Sequence, residues 1–338
     1  LSVRYHLGIM RIKGGLWRMR FSKAKLLTLM LAVLLVCGSV IVSAKTADEL
    51  IAEGNRYLNL DHKYDSAQPE VAIEKYKEAL TLAPDHAEGN LRLGQAYLEI
   101  ADLNNAILYL KKALELQPEW VEALNSLGLA YKQADDLDKA IEIFTLASEL
   151  QPGNPALWLN LGDVLTAKGL FAPAIDAYQK AAMVDGKIAV YSLRLGQALE
   201  AYGNLDAALE AYEKAVALQA DHVYANFHLA NAYHQKAQYD KAEVYYKKAI
   251  SINKNYANAY IGLGRLYLDQ GMYDEAIEQL KIAVDKNTAY PLSYYWLGMT
   301  YKAKGDNKAA FEAFRRTLHL WPEYEPAQIE YDALKGKV

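Results

Sequence analysis

Residues 124–152 read LNSLGLAYKQADDLDKAIEIFTLASELQP, and residues 90–118 read NLRLGQAYLEIADLNNAILYLKKALELQP. The two stretches lie 34 positions apart. Leu-Gly, Ala-Tyr, Ala-Ile, a later Ala and Glu-Leu-Gln-Pro return at the same offsets. A length of 338 residues would ordinarily suggest two or three domains. Self-similarity at a fixed period instead marks a chain of stacked units.

The period can be followed along most of the sequence. Ala72, Ala106, Ala140, Ala174, Ala208, Ala242, Ala276 and Ala310 keep it without a slip. So do Gly94, Gly128, Gly162, Gly196, Ala230, Gly264 and Gly298, and a third series from Ala79 through Ala113 and Ala147 to Thr317. Large residues recur in step at Tyr76, Leu110, Phe144, Tyr178, Tyr212, Tyr246, Leu280 and Phe314, and Pro84, Pro118, Pro152 and Pro322 close four of the units.

Spacing within a unit predicts two helices. Leu124, Leu127, Gly128 and Tyr131 share one helical face, as do Ala140, Phe144 and Ala147, with a polar turn at Ala134–Asp136 between them. Glycine inside a helix costs about 1 kcal/mol relative to alanine, so its return in six units of that series argues a packing need. The expectation is that Gly128 opposite Ala140 opens a groove in which the two helices nest.

This pattern resembles the tetratricopeptide repeat family, whose Trp-x₂-Leu-Gly-x₂-Tyr…Ala-x₃-Phe…Pro signature is matched in the fourth unit by Trp158, Leu161, Gly162, Ala174 and Tyr178. Leu165 stands there for Tyr, and Gly186 for Pro. The resemblance spans residues 47–324, with units at 47–86, 87–120, 121–154, 155–188, 189–222, 223–256, 257–290 and 291–324. It implies an all-α fold, a right-handed α-solenoid of eight helix-turn-helix units, closed by a capping helix and tail over residues 325–338. The first unit departs: Gly54 to Ala72 is 18 residues instead of 12, placing six extra residues within Asp61–Glu70. A tolerated loop and a contact loop for a partner are both compatible with that insertion.

Residues 1–44 form a separate segment. They hold seven of the 37 Lys and Arg and no acid, so the rest of the chain carries 30 basic against 41 acidic residues, a net of −11. A body of that sign is a poor match for nucleic acid. Met19–Lys45 combines a basic start, an apolar run from Leu26 and the short residues Val42-Ser43-Ala44, which suits a signal peptide cut after Ala44. Leu26–Val42, at 17 residues, also reaches the short edge of a retained membrane anchor. Either reading sends the body outside the cytoplasm, with the membrane touched only through this segment. Cys37, the single cysteine, follows Val36 where a lipoprotein motif wants a small residue, and it leaves no disulfide framework.

Chemistry-bearing motifs are absent from the pattern. No His-Glu-x-x-His, no phosphate loop and no nucleophile in a recognisable setting occurs. His228 and His234 lie six residues apart on one helix and point apart, and Gly262–Gly264 falls mid-helix. The expectation is a non-enzyme without cofactor or metal.

A surface remains. With the fourth, seventh, eighth and eleventh positions of each first helix packed inward, the second, fifth, ninth and twelfth are expected to face an open side. In the family this stripe lines a concave groove for peptides. Carried onto this sequence, the resemblance marks Asn55, Gln95, Asn125, Asp163 and Gln197, with a denser group in units six to eight: Tyr224, Phe227, Asn231, Arg265, Tyr295 and Met299. The apolar fifth-position residues Ile51, Leu91, Leu159, Leu193 and Ile261 are expected to add contact area beside them. Aromatics and Arg are the types that most often anchor interfaces, although such rings also fill gaps between units. Ile51 and Asn55 do not match the Lys and Asn that carboxylate-gripping members use. A peptide-binding scaffold for envelope or secretion assembly, a regulatory subunit of an envelope enzyme (glycosyltransferase or cytochrome assembly), and a self-assembling homo-oligomer all fit this surface.

Overall fold

A computed structural model describes residues 45–58 and 67–337. Most of the first unit's insertion lies outside these residues, as does the signal or anchor segment. Seventeen helices and no strands make up the described chain. The first helices of the eight units are α1 (Ala47–Tyr57), α3 (Ala87–Glu99), α5 (Val121–Gln133), α7 (Pro155–Ala167), α9 (Ala189–Ala201), α11 (Val223–Gln235), α13 (Ala257–Asp269) and α15 (Pro291–Lys304). The second helices are α2 (Pro69–Leu82), α4 (Leu103–Leu116), α6 (Leu137–Leu150), α8 (Phe171–Val184), α10 (Leu205–Leu218), α12 (Tyr239–Ile252), α14 (Tyr273–Lys286) and α16 (Asn307–Leu320). A last helix, α17 (Glu325–Leu334), follows. None of these is long and apolar enough to cross a membrane.

Each helix packs on its successor, and first helices of neighbouring units also touch one another, as α1 does α3 and α13 does α15. The first helices therefore form a continuous wall, which is the geometry of a solenoid. Position numbers below count from the start of each first helix, so that Ala87 and Val121 are position 1 of their units.

The glycine at position 8 is explained by what lies across from it. A Cβ built on Gly162 would stand 2.5 Å from the Tyr178 ring, and one on Gly128 2.7 Å from Phe144. Gly54, Gly196 and Gly298 meet Tyr76, Tyr212 and Phe314 in the same way, and Gly94 and Gly264 meet Leu110 and Leu280. The groove thus receives the large residue at position 24, which corrects the expected pairing of Gly128 with Ala140. Ala140 is itself fully buried. Unit six carries Ala230 in place of glycine. There the Tyr246 ring comes up against Gly262 of the next unit, 2.4 Å from where a Cβ would be.

A second repeated device locks the turns between units. In five units the side chain at position 4 donates to the backbone carbonyl six residues earlier. Asn90 reaches Pro84, Trp158 reaches Pro152, Asn226 reaches Ala220, Tyr260 reaches Lys254 and Tyr294 reaches Thr288, at 3.0–3.3 Å. Asn, Trp and Tyr share nothing here except an N–H or O–H donor at the right reach. At the far end α17 buries Ala327 and Leu334, and Tyr331 stacks on Phe311 at 4.5 Å. The final unit's apolar face is thereby covered, as an array end requires.

Inside units two to eight the turn passes through one residue with positive φ. Gly169, Gly203, Gly271 and Gly305 fill this place in four units, but Ala101, Asp135 and Ala237 fill it in three, at φ of 55–59°. The following N–H bonds the carbonyl five residues back at 2.8–2.9 Å. A side chain in this region costs about 1 kcal/mol that glycine does not incur. Ala237→Gly should therefore stabilise the chain by about 1 kcal/mol, read as a higher urea midpoint. An unchanged or lower midpoint would contradict the strain assigned to this turn.

Candidate functional site

The first-helix wall is assembled from side chains that bridge neighbouring units. The residue at position 9 of one unit meets position 6 of the next. Gln95 donates to Ser126 Oγ at 3.0 Å, and the Gln197 amide lies 2.9 Å from His228 Nε2. Asp163 stands 3.7 Å from Arg194 Nε, and the Arg265 guanidinium lies over the Trp296 ring at 4.3 Å. Asn125, from position 5, accepts from Asn160 Nδ2 at 2.9 Å. Gln95 also joins Arg92 and Glu122, whose ion pair measures 2.5 Å.

Position 9 is tied to its own unit as well. Tyr76, Tyr178 and Tyr246 reach through from the second helix and donate their hydroxyls to Asn55, Asp163 and Asn231 at 2.8, 2.8 and 2.5 Å. Burial pushes these hydroxyls well above the ordinary phenol range, so they remain protonated donors. Tyr212 instead donates to Glu200 at 2.7 Å, because Gln197 turns to His228. Where position 24 is Leu or Phe, position 9 holds Gln95, Leu129, Arg265 or Met299. The amides of Asn55 and Asn231 thus have their oxygens engaged and offer N–H donors to a ligand.

The residues marked in units six to eight fall into two adjoining patches. In the first, Tyr224 is 55% exposed and meets Tyr256 edge-on at 5.4 Å. Phe227 meets the same Tyr256 edge-on at 5.3 Å. In the second, Tyr295 packs edge-on against Trp296 at 5.2 Å and Tyr324 at 5.1 Å, with Met299 beside it and Arg265 over the indole. Phe227 and Tyr295 are half-buried, so each fills the gap between units while leaving part of its ring on the wall. At the fifth position Ile51, Leu91, Leu193 and Ile261 are buried. Contrary to expectation, these four add nothing to an open apolar strip, and Leu159 of the same row is half-buried.

Trp296, Tyr256 and Tyr324 belong to these patches although they lie outside the stripe that the family pattern marks. Position 34 runs His86, Trp120, Asn154, Ile188, His222, Tyr256, Tyr290, Tyr324, so the same count of 34 would have shown an aromatic edge gathering at one end.

Sequence models described as Tetratricopeptide repeat match residues 57–119, 93–155 and 193–259, residues 131–195 and 236–296, and residues 292–318. The chain belongs to the tetratricopeptide repeat family. No curated protein matches it by sequence. Among solved structures it is similar to a tetratricopeptide repeat protein from Parabacteroides merdae ATCC 43184, at 18% identity and a TM-score of 0.61, covering 74% of this chain and 99% of that one. It is similar to the APC/C hetero-tetramer Cut9–Hcn1, at 18% identity and a TM-score of 0.57, over 88% of this chain but only 57% of the other. It is also similar to PilW, a type IV pilus biogenesis factor, at 18% identity and a TM-score of 0.56, over 62% and 97%. At these identities the likeness establishes the shared fold. Tetratricopeptide repeat proteins are typically scaffolds that bind protein partners.

Among the described residues no three His, Cys, Asp or Glu side chains converge to hold a metal ion. His234 bonds Asp269 at 2.8 Å, whereas His228 stacks on Tyr212 at 5.5 Å and meets Phe227 edge-on. Burial holds the His228 imidazole below the usual histidine range, against the pull of nearby Glu200 and aided by Arg194. The unfolded chain then takes up a proton near pH 6.5 that the folded one refuses until lower pH. Stability contributed by neutral His228 is present above about pH 6.5 and is lost as pH falls below it. The urea midpoint of the tetratricopeptide array should drop on going from about pH 7.5 to about pH 5.5, and His228→Gln should make that drop shallower. Equal slopes for the two proteins would show that His228 is not a source of the pH dependence.

Proposed function

We propose that this protein is a non-catalytic scaffold outside the cytoplasm that holds a segment of another protein against the first-helix wall of units six to eight. The observation that carries this reading is the exposed Tyr224 and Arg265 beside half-buried Phe227, Tyr295 and Met299. These are anchor-type side chains already fixed by their neighbours, so binding would cost little further ordering. The wall's hydrogen-bonded ladder gives such a segment a rigid bed. Export rests on the basic, then apolar, then short-residue order of Met19–Lys45. The similarity to PilW, described as a pilus biogenesis factor, agrees with a place in envelope assembly.

Site-specific photo-crosslinking in the native cell tests the wall directly. A crosslinker in place of Tyr224 should capture a discrete partner, whereas one in place of Val244, 62% exposed on α12, should not. Equal capture at both sites, or none at Tyr224, would remove the wall as the binding surface. Sequencing the mature amino terminus should give Lys45 first if the segment is cut after Ala44.

A further inference from the structure

Along the wall, cationic side chains at positions 6, 9 and 12 are neutralised within the protein with one exception. Arg92 pairs with Glu88 and Glu122, and Lys132 and Arg194 both face Asp163. Lys302 pairs with Glu330 of α17. Arg265 is exposed, and among the described residues no carboxylate lies within ion-pair distance of it. Asp269, one turn further along α13, is bonded to His234 of the preceding unit instead. Asn231, the equivalent residue of that unit, accepts from Tyr246.

The guanidinium is nevertheless held in place. Its central carbon lies over the Trp296 ring at 4.3 Å, and Trp296 is itself fixed edge-on by Tyr295. This contact is a cation–π one, and among the described residues no hydrogen bond uses the N–H groups of Arg265, which leaves its fork for an acceptor such as a carboxylate. The body's net charge of −11 makes an unneutralised, pre-oriented cation on its wall an exception to the chain's overall balance.

Resting on the proposed groove, we infer that its occupant is an extended segment with a central Asp or Glu flanked on both sides by apolar residues. Arg265 takes the carboxylate. The Tyr224–Phe227 patch of unit six and the Tyr295–Met299 patch of unit eight take the flanks. A chain terminus would leave one of the two patches uncovered, so an internal acidic side chain fits better than a terminal carboxylate.

The test uses the full chain and labelled nine-residue peptides with blocked ends. One pool carries a central Glu between positions drawn from Leu, Phe, Tyr and Val, and the other pool a central Gln. The Glu pool should bind about ten times more tightly at low salt, the scale of one charge-assisted contact. Arg265→Gln should erase that preference without moving the unfolding midpoint, and Tyr224→Ala should weaken both pools while keeping their ratio. Equal binding of both pools by the unmodified chain would overturn the carboxylate assignment and leave the groove standing. Failure of both pools to bind would overturn both.

Discussion

The solenoid depends on one contact made in every unit: a side chain from position 24 of the second helix pressed against the first helix where no Cβ stands in its way. Rings of Tyr and Phe, or Leu, arrive within 2.4–2.7 Å of the missing atom. The cost of glycine in mid-helix is offset by close approach of the pair and full burial of a large side chain. Unit six reinforces the point by exception. When Ala230 adds the methyl, glycine is found at position 6 of unit seven, Gly262, where it meets the same ring from the next unit. The requirement is therefore for a notch facing the ring, and its place along the wall can shift.

That contact also determines what the wall can display. A tyrosine seated in the notch carries its hydroxyl through to the wall and claims an acceptor there, Asn55, Asp163, Asn231 or, in unit five, Glu200. A leucine or phenylalanine in the same seat makes no such claim, and position 9 can then hold Gln95 or Arg265 directed at a neighbour. Core and surface are coupled through one side chain. In units one, four and six the hydroxyl behind the wall commits position 9 to accept a hydrogen bond.

The sequence disclosed the helices and their pairing almost completely, because the 34-residue count and the helical spacing of Leu124, Leu127, Gly128 and Tyr131 report the same buried face. It misdirected at the partner of Gly128, since Ala140 and Phe144 lie on one face of α6 and spacing does not say which of them crosses the gap. It also misdirected at the fifth position. Ile51 and Leu91 look outward on a single helix drawn alone, and only the next unit in the stack buries them. The position 4 bonds were invisible for a different reason: Asn90, Trp158 and Tyr260 are unlike by every measure except donor reach. The candidate site was legible in its anchors, Tyr224, Phe227, Arg265 and Tyr295. Its supports at positions 6 and 34 carried the same periodic signal without being read.

A stack held together by contacts between successive units has no distant interactions to spread a local change. Substitution on the wall leaves the helix pairs seated, whereas substitution in the notch forces a ring or Leu away from the helix it packs on. This asymmetry explains why positions 8, 20 and 24 vary so little from unit to unit while position 6 runs through Arg92, Ser126, Asn160, Arg194, His228, Gly262 and Trp296. Diversity at a position that the fold constrains in unit seven alone, through Gly262, is the condition for a surface to acquire specificity. In this chain the diversity ends in a cation stacked on an indole, bordered by two aromatic patches.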